Sequence, residues 1–90
     1  MFTAEMISKL ESIGKAWHKD TMHRFYINLS LADEKYFALD NTEHGRLPLN
    51  RYERNNGKAW IDLESGKFCT KGIQDAEELE SDIVELTNLL

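Results

Sequence analysis

Five side chains in two stretches come nearest to reaction chemistry in this sequence: His23, Arg24 and Tyr26 in one, His44 and Arg46 in the other. A histidine can move a proton to or from a ribose hydroxyl near neutral pH, and arginines stabilise the charge that builds on a phosphoryl group. Set on neighbouring strands, these groups would describe a small ribonuclease. The formal charge of −5 works against that reading, because it hinders encounter with a polyanion. Arg46, Arg51, Arg54 and Lys58, with Tyr52 and Trp60 nearby, have the phosphate-contacting and stacking character of a direct nucleic-acid-binding module. The plainer reading of that stretch is a solvated connection between strands. It is preferred here, and direct nucleic-acid binding is not expected.

Other chemistry finds less support. His18, His23, His44 and Cys69 are the candidate metal ligands, but no pair has the close spacing that fixes two ligands on one local element. No metal and no cofactor are expected. Cys69 lies in GKFCT, a strand-like stretch in which a lone cysteine reads as a small core residue rather than a nucleophile. GKAW at 57–60 lacks the glycine-rich loop and hydroxyl of a phosphate-binding motif.

Acidity is the strongest chemical signal. Six of the 16 acidic residues fall in QDAEELESDIVELTNLL, residues 74–90, and none of the 11 lysines and arginines does. The rest of the chain is therefore close to neutral. The terminal segment is also patterned as a helix. Ala76, Leu79, Ile83, Leu86 and Leu90 form one apolar stripe, and Asp75 and Glu78 have capping-box spacing. Asp75, Glu78, Asp82 and Glu85 gather along a neighbouring and opposing arc, where they are expected to face solvent. Common surface helices look like this too, so a purely solubilising role stands beside a functional one. The functional reading is a protein-binding face whose carboxylates engage lysines and arginines and steer encounter. Exposed ion pairs are individually weak, so an aromatic anchor such as Trp60, Tyr52 or Trp17 would have to join them. Acids one helical turn apart are spaced about 6 Å, broadly like phosphates, which suits nucleic-acid mimicry.

The remaining elements must hold these groups. Residues 3–13 read as a helix with Met6, Ile7, Leu10 and Ile13 on one side, Thr3 as its cap and Gly14 as its terminator. Ala16 to Lys19 reads as a short strand, and KDTM turns the chain into HRFYINL, residues 23–29. There Phe25, Ile27 and Leu29 share one face, with Arg24, Tyr26 and Asn28 on the other. LADEKYFAL fits either a short helix or an irregular connection. Residues 43–49 suit an edge strand near Pro48, and RYERNNG ends in a turn signal. AWIDL, residues 59–63, and GKFCT make a hairpin around ESG, whose glycine can take a positive φ.

Ninety residues, 41% hydrophobic and 30% charged, suffice for a single compact domain spanning 1–90, with 74–90 as its acidic C-terminal helix. The expected fold is α+β: a small antiparallel sheet with N- and C-terminal amphipathic helices packed on one face. MFTAEMISKLESIGK does not read as a signal peptide, and no apolar run is long enough to span a membrane. With one cysteine, a cytoplasmic setting is the simpler expectation.

WHKDTMHRFYIN at 17–28 and KAWIDLESGKF at 58–68 resemble, in style, small acidic accessory proteins of phages and mobile elements, anti-CRISPR proteins among them. The resemblance covers about half of the chain and carries no residue-level role. It implies a non-enzymatic inhibitor that blocks a basic, nucleic-acid-binding surface of a host protein, such as a CRISPR effector. A homodimer joined through Val84 and Leu89 is a further option.

Overall fold

Thr3 starts the first helix. Its extended backbone and side-chain oxygen, which accepts from the Met6 N–H at 3.2 Å, satisfy one of the donors that a helix start leaves unpaired. Helix α1 runs Ala4–Ser12 and buries Leu10 fully, with Met6, Ile7 and Ile13 packed partly against the core. It ends at Ile13, whose N–H donates to the Leu10 carbonyl at 3.2 Å. The computed structural model describes residues 1–13, 16–20, 22–29 and 57–90. Gly14, the uncertain connection at 31–39, the strand at 43–49 and most of RYERNNG lie outside these residues.

Four strands form one antiparallel sheet in the order β1 (Trp17–Lys19), β2 (Arg24–Ile27), β3 (Lys58–Asp62) and β4 (Phe68–Lys71). Alternation along each strand sorts its side chains between two faces. Phe25 and Ile27 on β2 and Ala59 and Ile61 on β3 point into the core, joined by Trp17 from β1. Trp17 stacks on Phe25, ring centroids 5.2 Å apart and planes within 16°, a diagonal contact across the β1–β2 pair.

The β1–β2 turn is tied by Asp20. Its Oδ1 accepts from the backbone N–H groups of Met22 and Arg24, and its own N–H donates to the Arg24 carbonyl. The strand expected over 23–29 is shorter at both ends: it loses His23 to the turn, and it stops at Ile27, before Asn28 and Leu29. His23 sits in the turn with φ +59, a left-handed conformation uncommon for side-chain-bearing residues.

The β3–β4 turn carries its positive φ at Gly66, φ +74, whose N–H donates to the Asp62 carbonyl. Asp62 Oδ1 accepts from the Glu64 and Ser65 N–H groups. Gly66 also accepts from the Phe2 N–H at 2.8 Å, which fastens the N-terminal residues to this turn and sets the Phe2 ring in the core beside Phe68.

Helix α2 (Ala76–Leu89) closes the domain. Leu79, Ile83 and Leu86 are fully or almost fully buried, each worth about 1.5–3 kcal/mol in apolar burial. They join the same cluster as Leu10, Phe25, Ile27 and Ile61, so both helices serve one face of the sheet. The architecture is the α+β arrangement expected. No helix among the described residues is long and apolar enough to cross a membrane.

Candidate interaction surfaces

The acidic helix starts differently from its capping-box pattern. Asp75 is the N-cap residue, but its side chain makes no capping hydrogen bond, and its backbone (φ −104, ψ 47) departs from the extended geometry that Thr3 adopts. Glu77 and Glu78 occupy the first turn, where the helix dipole favours negative charge.

The four acids expected along an exposed arc do not share one environment. Asp75 and Glu78 are exposed and Glu85 is half-buried, whereas Asp82 is only 8% exposed. The spacing explains this. Asp75, Glu78, Asp82 and Glu85 follow one another at intervals of three and four, so they run down the edge of the apolar stripe rather than its back. Asp82 falls one residue before Ile83 and three after Leu79, close enough to the stripe to be covered with it. All four residues also interact with other groups of the chain. The outward side instead presents Glu77, Ser81 and Asn88, with Glu80 half-buried beside them. At the other end, Leu90 leaves the expected stripe and is 38% exposed. Thr87 takes a buried place, its hydroxyl donating to the Val84 carbonyl at 2.7 Å.

Trp60 stands apart from these acids. It alternates with Ala59 and Ile61, which enter the core with α2, so its indole projects from the opposite face of the sheet. An anchor there cannot join a contact centred on the acidic helix. On that face the strand register sets His18, Tyr26, Trp60 and Cys69 side by side across all four strands. His18 lies against Tyr26 with ring centroids 5.2 Å apart. The Arg24 guanidinium lies over the Trp60 ring at 5.0 Å, and its Nε is 3.0 Å from Asp20 Oδ2. That last contact is an ion pair without the alignment of a hydrogen bond. Cys69, expected in the core, is half-buried on this outer face, where its Sγ is 3.7 Å from the Lys67 carbonyl.

Of the five residues of the ribonuclease reading, three are among the described residues: His23, Arg24 and Tyr26. His23 is an exposed turn residue and Arg24 covers Trp60, while His44 and Arg46 lie outside the described residues. The same holds for Arg51, Tyr52 and Arg54 of the basic stretch; Lys58 is exposed at the start of β3. Among the described residues no three histidine, cysteine or acidic side chains gather as a metal site. A cleft of about 570 Å³ between α1 and the β3–β4 turn has Phe2, Ile7 and Leu63 in its wall and Glu11, Lys19 and Glu64 among its polar groups. Those charges have both signs and favour no one ligand class.

Two carboxylates have acidities set by turn geometry. The Met22 N–H donated to Asp20 holds its pKa below the ordinary value, with the Arg24 N–H and guanidinium acting in the same direction. The Ser65 and Glu64 N–H groups do the same for Asp62.

Sequence could have revealed the aromatic row, since Tyr26 and Trp60 alternate with apolar neighbours in their strands. What it lacked was the register that brings the two opposite one another. Comparison of the chain with protein-family models, curated proteins and solved structures returns no match.

Proposed function

We infer that the chain is a non-enzymatic interaction protein that blocks a basic, nucleic-acid-binding surface of a partner protein through its acidic C-terminal helix. The observation that carries this reading is charge segregation: residues 74–90 hold six acids and no base, while the rest of the chain is near neutral. Exposed Asp75, Glu77 and Glu78 surround the first turn of α2, and half-buried Glu80 and Glu85 extend the field along it. Such a field raises encounter rates with a basic partner and disfavours acidic ones. Asp82 belongs to the helix's attachment rather than to its contact surface, and Trp60 to another face. The apolar supplement is better sought in Leu89, which continues the acid row and is 37% exposed.

The test is recovery of binding partners from the native cell with the unmodified chain and with D75N/E77Q/E78Q/E85Q. The reading expects basic proteins that a nucleic-acid competitor releases and that the amide variant does not retain. Equal recovery by the variant, or indifference to the competitor, rejects it.

A further inference from the structure

The sheet face turned away from the helices combines three features that no acidic-helix function uses. Flat π surfaces come first: His18, Tyr26 and Trp60 occupy consecutive strands at one level, and neighbouring strands lie about 4.8 Å apart. Arg24 adds a guanidinium plane, held over Trp60 by Asp20. Unpaired bases stack on aromatic rings and on arginine planes alike.

Charge is the second feature. Lys58 and Lys71 are directly opposite each other at the β3–β4 end of this face; both are exposed, and neither has an ion-pair partner among the described residues. Like charges paired across strands repel, and an anion between them converts that cost into attraction. Along β3, Lys58 is two residues from Trp60, a separation of roughly 6.6 Å. A base on the Arg24 plane over the indole would thus place its phosphate within reach of the lysine pair.

The third feature is where the acids are. Asp20 in the β1–β2 turn and Asp62, opposite Arg24 on β3, each have Oδ1 engaged by backbone N–H groups, and Asp20 Oδ2 faces the Arg24 guanidinium. The six acids of 74–90 belong to the element that packs on the sheet's other face, and at physiological salt a charge is largely screened beyond about 8 Å of solvent.

We propose that this face binds single-stranded nucleic acid, with bases stacked on Tyr26 and on the Arg24 plane that lies over Trp60, and a phosphate held between Lys58 and Lys71. A duplex hides its base faces, and an acidic peptide offers no rings to stack, so neither matches the whole surface. This surface is independent of the helix-mediated inhibition inferred above.

The experiment titrates the full chain at low salt with oligothymidylate and oligouridylate of about a dozen nucleotides, a length within ordinary single-strand site sizes. Tryptophan emission is the readout. Trp17 is 3% exposed, so quenching reports the half-buried Trp60. Expected are quenching by single strands, little by a matched duplex, and about 5- to 150-fold weaker binding of Trp60→Ala to labelled oligonucleotide. Lys58→Gln with Lys71→Gln, both at exposed positions that leave the fold intact, lowers the salt slope of log K by about 0.7, the one phosphate that the pair holds. The amide variant of α2 binds the oligonucleotide at least as well as the unmodified chain. Absence of quenching at low salt, equal binding of duplex, or an unchanged salt slope in the lysine variant overturns the proposal. So does displacement of the oligonucleotide by polyglutamate at equal charge concentration.

Discussion

Replacing Gly66 tests the stitch between the N-terminal residues and the β3–β4 turn. Two costs add at this position. A residue with an L side chain at φ +74 is disfavoured by about 1–2 kcal/mol. Its Cβ would lie 2.5 Å from the Phe2 carbonyl oxygen, a backbone atom that can retreat only if the chain from Met1 to Thr3 shifts. That shift breaks the 2.8 Å hydrogen bond from the Phe2 N–H to the Gly66 carbonyl, worth about 0.5–1.5 kcal/mol. Gly66→Ala should therefore cost roughly 1.5–3.5 kcal/mol, out of about 5–13 kcal/mol for a domain of this size. In urea, at a slope of about 1.2 kcal/mol/M, the midpoint falls by roughly 1.3–3 M. Gly66→Asn separates the two causes, since asparagine tolerates the left-handed region yet brings the same Cβ. It should still cost about 1 kcal/mol, the lost hydrogen bond alone, with loss of amide protection at Phe2 in hydrogen exchange. If asparagine lies within about 0.5 kcal/mol of glycine, the close approach of Phe2 does not constrain this turn and the reasoning fails.

Three further outcomes are expected. The depressed acidities of Asp20 and Asp62 contribute stability that is present above the unfolded carboxylate pKa of about 3.9 and is lost as pH falls through their lower folded values; Asp20→Asn with Asp62→Asn should flatten the acid limb of a pH–stability curve, and an unchanged limb would discount the two turns. Asp82→Ala should cost about 1–3 kcal/mol in denaturant melts by stranding the group it interacts with, whereas exposed Glu77→Gln stays within about 0.5 kcal/mol; equal effects would contradict the division of the acid row. Thr3→Ala should lose about 1 kcal/mol by removing the cap on Met6 N–H, and Thr3→Ser should restore most of it, as read by thermal melts.

Local signals were easily legible because they depend on neighbours in the chain. Thr3 ahead of an apolar 3.6-residue rhythm, alternation through Phe25 and Ile27, and a glycine closing ESG each specify an element without reference to the rest of the fold. The candidate surface was less legible because it depends on what faces what. Asp82 sits at the margin of its helix's apolar stripe, and only the width of the packed core determines whether a margin residue is wet. Trp60 had two possible faces until its pairing with Tyr26 and the burial of Ala59 and Ile61 assigned one. The left-handed turn at His23 was hidden for a related reason: Asp20's bonds to Met22 and Arg24 impose it, and a histidine carries no such signature alone.

The pairing of Ile27 with Ala59 bears on the order in which this fold assembles. These partners lie side by side in the sheet although they are far apart in sequence. The hairpin of β3 and β4 forms from residues close in sequence, but its union with β2 must wait for a long closure, which makes that docking the natural slow step.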